Sequence, residues 1–373
     1  MDINFHYFAV KTIASFVGFE EEQAQKIAGY SQFVDDFNAW TAFQFDIVPS
    51  FVSSLGLVKI NSNGKYELTP ITTGFDGYFD YASLVMESMQ TQVVMPFHFI
   101  PPCGYIEGQK TEKRYLYRTV PADIDGTFII SRLLQSTKKD YLQDRKFDFV
   151  EHRESLLVKI GILLHIFADT YAHQGFSGLR GWENYSYLTT ETDNYNGNKS
   201  IIDQESPSPM ICGNLPSIGH GNVGHAPDNS YASFSIKYAE NANQTSESKY
   251  TAKYNRSNTQ TFMIAARQIY TYLYQLRNDN RKPTVQEEYR WRELQEYLRN
   301  GFNARGSYQE LKNHWDNCCH KFNYHYDKAD YLTKLMAITE SSDSKSRIYY
   351  TAQNDFFLFN YYAKRIRFEV LGA

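Results

Sequence analysis

Residues 155–175, SLLVKIGILLHIFADTYAHQG, constrain the fold more than any other stretch. From Leu156 to Ala168 the run is almost wholly apolar, and a helix apolar on most of its sides belongs inside a core. Yet it carries His165, Asp169 and His173 in steps of four. At about 100° per residue those steps keep the three side chains within roughly 80° of one another. Two imidazoles and a carboxylate in an apolar interior need a partner, because an unpaired buried charge costs several kcal/mol. Two arrangements meet that need. One is a polar network of core histidines held by Asp169. The other is a divalent cation, for which imidazole and carboxylate are ordinary ligands.

The rest of the chain reads as mainly α, one domain over residues 1–373. Residues 5–17 predict a first helix, and Glu20 to about Phe37 a second, whose acidic start suits a helix N-terminus. Residues 56–70 alternate around Asn63-Gly64 and predict a β-hairpin excursion. Residues 77–91 read as helix, and 92–104 as a proline-stiffened extended loop holding His98. Pro121 predicts the start of a helix running to about Lys138. Residues 176–255, rich in Gly, Asn, Ser, Thr and Tyr, read as a long irregular insertion, and residues 256–373 as C-terminal helices.

Composition excludes several classes. With 38 basic against 42 acidic residues there is no broad basic field, so duplex nucleic acid is not an expected partner. Four cysteines (Cys103, Cys212, Cys318 and Cys319) form no disulfide framework. The N-terminal MDINFHYFAV lacks the basic region of a signal peptide, and no uninterrupted apolar run reaches the ~20 residues of a membrane span. The expected setting is cytoplasmic. No G-x4-G-K phosphate loop is present, and Ser177 lacks a nucleophile-elbow frame.

Further candidate ligands are spread along the first 230 residues: His6, the pair Asp35-Asp36, His98, and His220, His225 and Asp228 in GHGNVGHAPD. Their order, with HIFADTYAH at the centre, resembles that of the zinc-dependent phospholipase C and single-strand-specific nuclease superfamily. FHFIP around His98, HIFADTYAH and GNVGHAPD are similar to that superfamily's loop, helix and His-Asp motifs. FHYFAV, SQFVDD and FADTYAHQGFSG also resemble an uncharacterised bacterial family. The resemblance implies a helical phospholipase C/P1-nuclease-like bundle around two or three Zn2+ ions, with Mn2+ or Fe2+ as substitutes. It implies that Met1, five residues before His6, supplies its terminal amine as a ligand. His165, Asp169, His98 and Asp35 or Asp36 would hold the two closer ions, with Met1, His6, His173 and His220 or His225 completing the set.

The chain also departs from that pattern. Asp169 and His173 stand four apart where the superfamily has six. Asn38 or Ala39, and Pro101, stand where the nucleases carry an Arg and an Asp, which moves the expectation away from nucleic acid. The implied activity is metal-dependent hydrolysis of a phosphoric ester. The substrate would be a small phosphodiester, nucleotide or phospholipid. Asp35, Asp36 and Asp228 are the candidates for proton transfer or for orienting a ligand histidine. The competing class is a non-catalytic helical protein whose metal site staples the fold and helps bind a partner. A second cluster, His314, Cys318, Cys319, His320 and His325, reads as ordinary core and surface. Trp182, Tyr185, Tyr187, Tyr195 and Tyr231 either stack on a ligand or simply pack.

Overall fold

A helix that is apolar on every side has to be surrounded, and the fold is arranged to do that. In the computed structural model the helix runs from Arg153 to Ala172, with every residue from Leu156 to Ala172 buried except Lys159. The structure describes residues 1–74, 86–106, 108, 110–193, 199–201, 218–239, 250–318, 322–336 and 355–372. Among them the α-helices of five residues or more, in chain order, are α1 (Val10–Phe16), α2 (Glu21–Asp36), α3 (Ser50–Ser54), α4 (Ile129–Gln143) and the central α5 (Arg153–Ala172). After these come α6 (Asn258–Arg277), α7 (Val285–Gly301), α8 (Tyr308–Cys318), α9 (Lys328–Met336) and α10 (Asp355–Leu371). Helices α2, α4, α6 and α10 pack around α5. By length and composition α5 could cross a membrane, but 89% of its apolar window is buried within the protein. Its apolarity is used in the core.

The approach of α2 to α5 is set by a glycine. A Cβ at Gly161 would stand 2.6 Å from the Ile27 carbonyl oxygen and 2.9 Å from Tyr30 Cβ. Gly161→Ala is therefore expected to overpack this crossing and to destabilise the protein by about 1–3 kcal/mol. A thermal melt reads that as a lowered midpoint, and an unchanged midpoint would contradict the close crossing.

Among the described residues two small antiparallel sheets accompany the helices. The expected hairpin is present: β2 (Val58–Ile60) pairs with β3 (Tyr66–Leu68), Val58 opposite Leu68, and β1 (Phe43–Phe45) adds to the other side of β3. The region expected to be irregular instead holds a four-stranded sheet. Its order is β5 (Lys199–Ile201), β4 (Ser186–Asp193), β6 (Ala232–Ala239), β7 (Tyr250–Ser257). Alternation in ASFSIKYA explains β6: Phe234 and Ile236 join a small core with Leu188, Phe99, Phe176 and Val223, while Ser233 and Ser235 face away.

Two helix boundaries differ from expectation. The helix expected from Pro121 begins at Ile129, because Asp123–Gly126 forms a turn (Gly126 N to Asp123 O, 2.9 Å) that precedes it. The loop expected at 92–104 is helical as far as Phe97: a π-helical run Gln90–Val94 continues into Met95–Phe97, with Pro96 at the change of winding. Of the helix expected at 77–91, residues 75–85 lie outside the described residues and Glu87–Met89 are helical.

Candidate metal centre

The stripe on α5 points at four other segments. His6 sits in a π-helical turn, Asn4–Ala9, that leads into α1. Asp35 closes the last turn of α2, and His98 follows the π-helical run of residues 90–94. Such local widening of a helix is found disproportionately at functional sites. The turn of residues 218–229 brings His220 and Asp228 to the C-terminal end of α5.

Three donor sets result. In the first, His165 Nε2 lies 3.3 Å from His98 Nδ1, and Asp169 Oδ2 lies 3.1 Å and 3.2 Å from these two nitrogens. Asp35 Oδ1 stands 3.7 Å from each of the same nitrogens. A tetrahedral ion with bonds of about 2.0–2.2 Å spaces its donors about 3.3–3.6 Å apart, and Asp35, His98 and His165, at 3.3–3.7 Å from one another, come close to that spacing. In the second set, His6 Nε2 lies 3.1 Å from Asp169 Oδ1 and 3.9 Å from Asp35 Oδ2, and the Met1 amine lies 2.6 Å from Asp169 Oδ1. Asp169 thus presents one oxygen to each set, and so does Asp35. In the third set, Asp228 faces His173 Nε2 at 3.0 Å through Oδ1 and His220 Nε2 at 3.2 Å through Oδ2. Met1 N is 3.5 Å from Asp228 Oδ1, so the amine stands between the second and third sets.

The far nitrogens of three rings fix their protons. His98 Nε2 bonds the Thr73 carbonyl (2.8 Å), His173 Nδ1 the His98 carbonyl (2.5 Å) and His220 Nδ1 the Gly224 carbonyl (2.8 Å). A carbonyl only accepts, so each of those nitrogens carries the ring's N–H. In a neutral ring the inward nitrogen is then a lone pair directed at carboxylate oxygens. Burial disfavours a second proton: it holds His165 down to about 4 and pulls His6 and His173 below the usual range, although Asp169 opposes this in each case. Against its burial, His98 is raised, because Asp169 and Asp35 outweigh it. Burial also works against ionisation of Asp169, but His173, the Met1 ammonium, His165 and His6 hold its carboxyl well below the ordinary range. Asp35 is pushed up to about 8, first by burial and further by Asp169.

Two of the candidates lie outside the sets. Asp36 turns away from Asp35, and its Oδ2 accepts from Tyr326 Oη (2.6 Å) and Gln32 Nε2 (3.3 Å). One step along a helix is about 100°, so adjacent carboxylates cannot face the same point. His225 is 90% exposed, with Nδ1 3.9 Å from Asp228; the turn directs His220 inward in its place. Other contacts carry no sequence signal. Phe99 stacks on the His173 ring (4.2 Å between centroids, 14° between planes), and the Thr73 carbonyl orients His98.

In the second cysteine-histidine cluster, His314 bonds the Asn300 carbonyl and His325 bonds Asp330, while Cys319 and His320 lie outside the described residues. Among the aromatic candidates, Trp182 is buried beneath Arg118, Arg305 lies over Tyr231, and Tyr195 is outside the described residues.

One protein family matches the whole chain, residues 1–373, and its description is a family of unknown function. No curated protein and no solved structure matches it.

Proposed function

The chain belongs to the family of unknown function DUF6765, and from its own donor geometry we propose that it is a metal-dependent hydrolase of phosphoric esters. The observation that carries this reading is the direction of the imidazole lone pairs. His98, His173 and His220 spend their N–H on backbone carbonyls and turn bare nitrogens toward Asp169 and Asp228. At His173, which burial holds below the usual range, a neutral ring leaves its pair with Asp228 repelling and a cation between them removes the repulsion; at His98, which Asp169 and Asp35 raise, a proton on Nδ1 fills the same place in the absence of metal. Donors limited to imidazole, carboxylate and amine, with no thiolate, suit zinc, with Mn2+ or Fe2+ as substitutes.

Asp35, His98, His165 and Asp169 would hold one ion, and Met1, His6 and Asp169, with Asp35, a second. His173, His220 and Asp228 would hold a third. Divalent ions so bound supply a lowered pKa for water, toward about 7, and positive charge to offset that of a phosphodiester. The residues do the rest. Asp169 and Asp35 fix the spacing of the first two sets by dividing their oxygens between them. Asp35 is 31% exposed, Asp228 18% and His220 15%, so substrate and water can reach the sets from that side. Asp35, at the exposed edge of the first two sets, would position water there. This partial opening favours catalysis over a structural staple, whose ligands are closed off. The donor order also favours the arrangement of the phospholipase C and nuclease superfamily. A small phosphodiester, nucleotide or phospholipid is the proposed substrate class.

The test is metal analysis of protein purified without chelator, followed by assay on bis-p-nitrophenyl phosphate. Two or three ions per chain and a chelator-sensitive release of nitrophenol are expected. His165→Ala should lose the first ion and at least a hundredfold in rate. Full metal content and rate in that variant would refute the role of the α5 stripe.

A further inference from the structure

We propose that Arg256 is the positioning residue that closes the third donor set, clasping the end of α5 to the turn that carries Asp228. The inference rests on the metal-centre reading above. Two ligands of that set come from segments with no secondary structure in common. His173 ends α5, and Asp228 lies in the turn before β6. Arg256, near the end of β7, reaches both. Its Nη1 donates to the carbonyls of Tyr171 (2.9 Å) and Ala172 (2.6 Å), and its Nη2 to that of Pro227 (2.7 Å). One guanidinium therefore holds the residue immediately before His173 and the residue immediately before Asp228.

A second side chain extends the clasp. Arg256 Nε donates to Asn258 Oδ1 (2.7 Å), and Asn258 Nδ2 reaches back to the carbonyls of Ala226 (2.8 Å) and Asn229 (2.7 Å). The turn is thus gripped on both sides of Asp228. Arg256 is 6% exposed and its guanidinium lies over the Phe234 ring at 4.7 Å, so the sheet fixes its position. Burial lowers it only to about 10, and it stays a cation at neutral pH. That charge sits at the negative end of α5, where a cation is favourable. Its hydrogen bonds go to neutral acceptors, which matches a role in holding backbone. The planar fork is what spans two segments, and a lysine ammonium cannot reproduce it. His6, Asp35 and His98 stand on segments to which Arg256 donates none of these bonds, and His165 and Asp169 lie within α5, held by the helix's own backbone bonds, so the first two sets should outlast its loss.

The experiment is Zn2+ titration of the full chain with metal analysis and a thermal melt in chelator, on wild type, Arg256→Lys, Arg256→Met and Asn258→Ala. Wild type should take up about three ions, one for each donor set. The Arg256 variants should take up about two, and their melting midpoints in chelator should stay within a few degrees of wild type. Asn258→Ala should keep three sites with the weakest one weakened about tenfold. Fewer than two ions in wild type would refute the metal-centre reading itself. Three ions of unchanged affinity in both Arg256 variants would leave that reading standing and overturn the clasp. Parallel loss of all ions with the melting midpoint would reduce Arg256 to general stability and also overturn it. If the Arg256 variants fail to fold, Asn258→Ala decides, because unchanged affinity at its weakest site contradicts the proposal.

Discussion

Asp169→Asn is expected to remove two ions at once and to lower hydrolysis of bis-p-nitrophenyl phosphate at least a thousandfold, about 4 kcal/mol of transition-state stabilisation. The two oxygens of this carboxylate serve different partners. Oδ1 meets the Met1 amine at 2.6 Å and His6 Nε2 at 3.1 Å, while Oδ2 meets His165 Nε2 at 3.1 Å and His98 Nδ1 at 3.2 Å. Asparagine keeps the shape but turns one oxygen into an N–H donor. Whichever way the amide is turned, one donor set gains a proton where it needs a lone pair. The change also leaves the Met1 ammonium without its nearest counter-charge, in a position that is fully buried. Removing one partner of a buried pair costs about 3–5 kcal/mol, so the variant should melt earlier than wild type even when both are stripped of metal. Metal analysis, the hydrolysis rate and a melt in chelator are the three measurements. A variant that kept two or more ions would show that Asp169 does not bridge.

The site was more legible in the sequence than the fold around it, and the reasons are physical. His165, Asp169 and His173 could be placed together because a helix has one period and an apolar helix has nowhere to hide three polar groups. The choice between Asp35 and Asp36 depended on the phase of α2, which adjacent residues cannot reveal. In the structure Tyr326, 290 residues away, takes Asp36, and Asp35 faces the histidines. His220 and His225 share one turn, and only its carbonyl at Gly224 orients the first. The sheet of residues 186–257 was obscured by Gly, Asn and Ser, although the alternation around Phe234 and Ile236 was present. Arg256 gave no signal, because it acts on carbonyls and every residue has one. The π-helical runs ahead of His98 and around His6 were equally invisible, since the sequence looks the same for α and π winding. They mark where backbone regularity yields to the placement of a side chain.

Stripping the ions should reverse the direction in which stability changes with pH between about 6.5 and 8. In the metal-free protein Asp35 is raised to about 8 from an ordinary 3.8, so above pH 4 the folded state holds a proton that the unfolded state has lost. That group therefore costs stability progressively as pH climbs to 8. His98, raised by Asp169 and Asp35 against its burial, adds stability that fades over the same range. His6, His165 and His173 are lowered, chiefly by burial, so their penalty falls below pH 6.5 and leaves the window above it to Asp35 and His98. The Met1 amine, raised to about 11 by Asp169, Asp228 and Asp35 against its burial, begins to matter only above pH 8. With Zn2+ present the order inverts, because an ion must displace the Asp35 proton, and that becomes easier as pH approaches 8. Each displaced proton makes apparent affinity rise up to tenfold per pH unit. At free ion a thousandfold above Kd, each site adds about 4 kcal/mol, so two or three ions give about 8–12 kcal/mol. For a chain of this length that corresponds to a midpoint shift of roughly 10–15 °C. Melts at pH 6.5, 7.2 and 8 with and without chelator, and calorimetric titrations in buffers of different ionisation enthalpy, measure both effects. Zinc binding without proton release at pH 7 would rule out Asp35 as a ligand, and parallel pH profiles with and without metal would remove the electrostatic basis of the site.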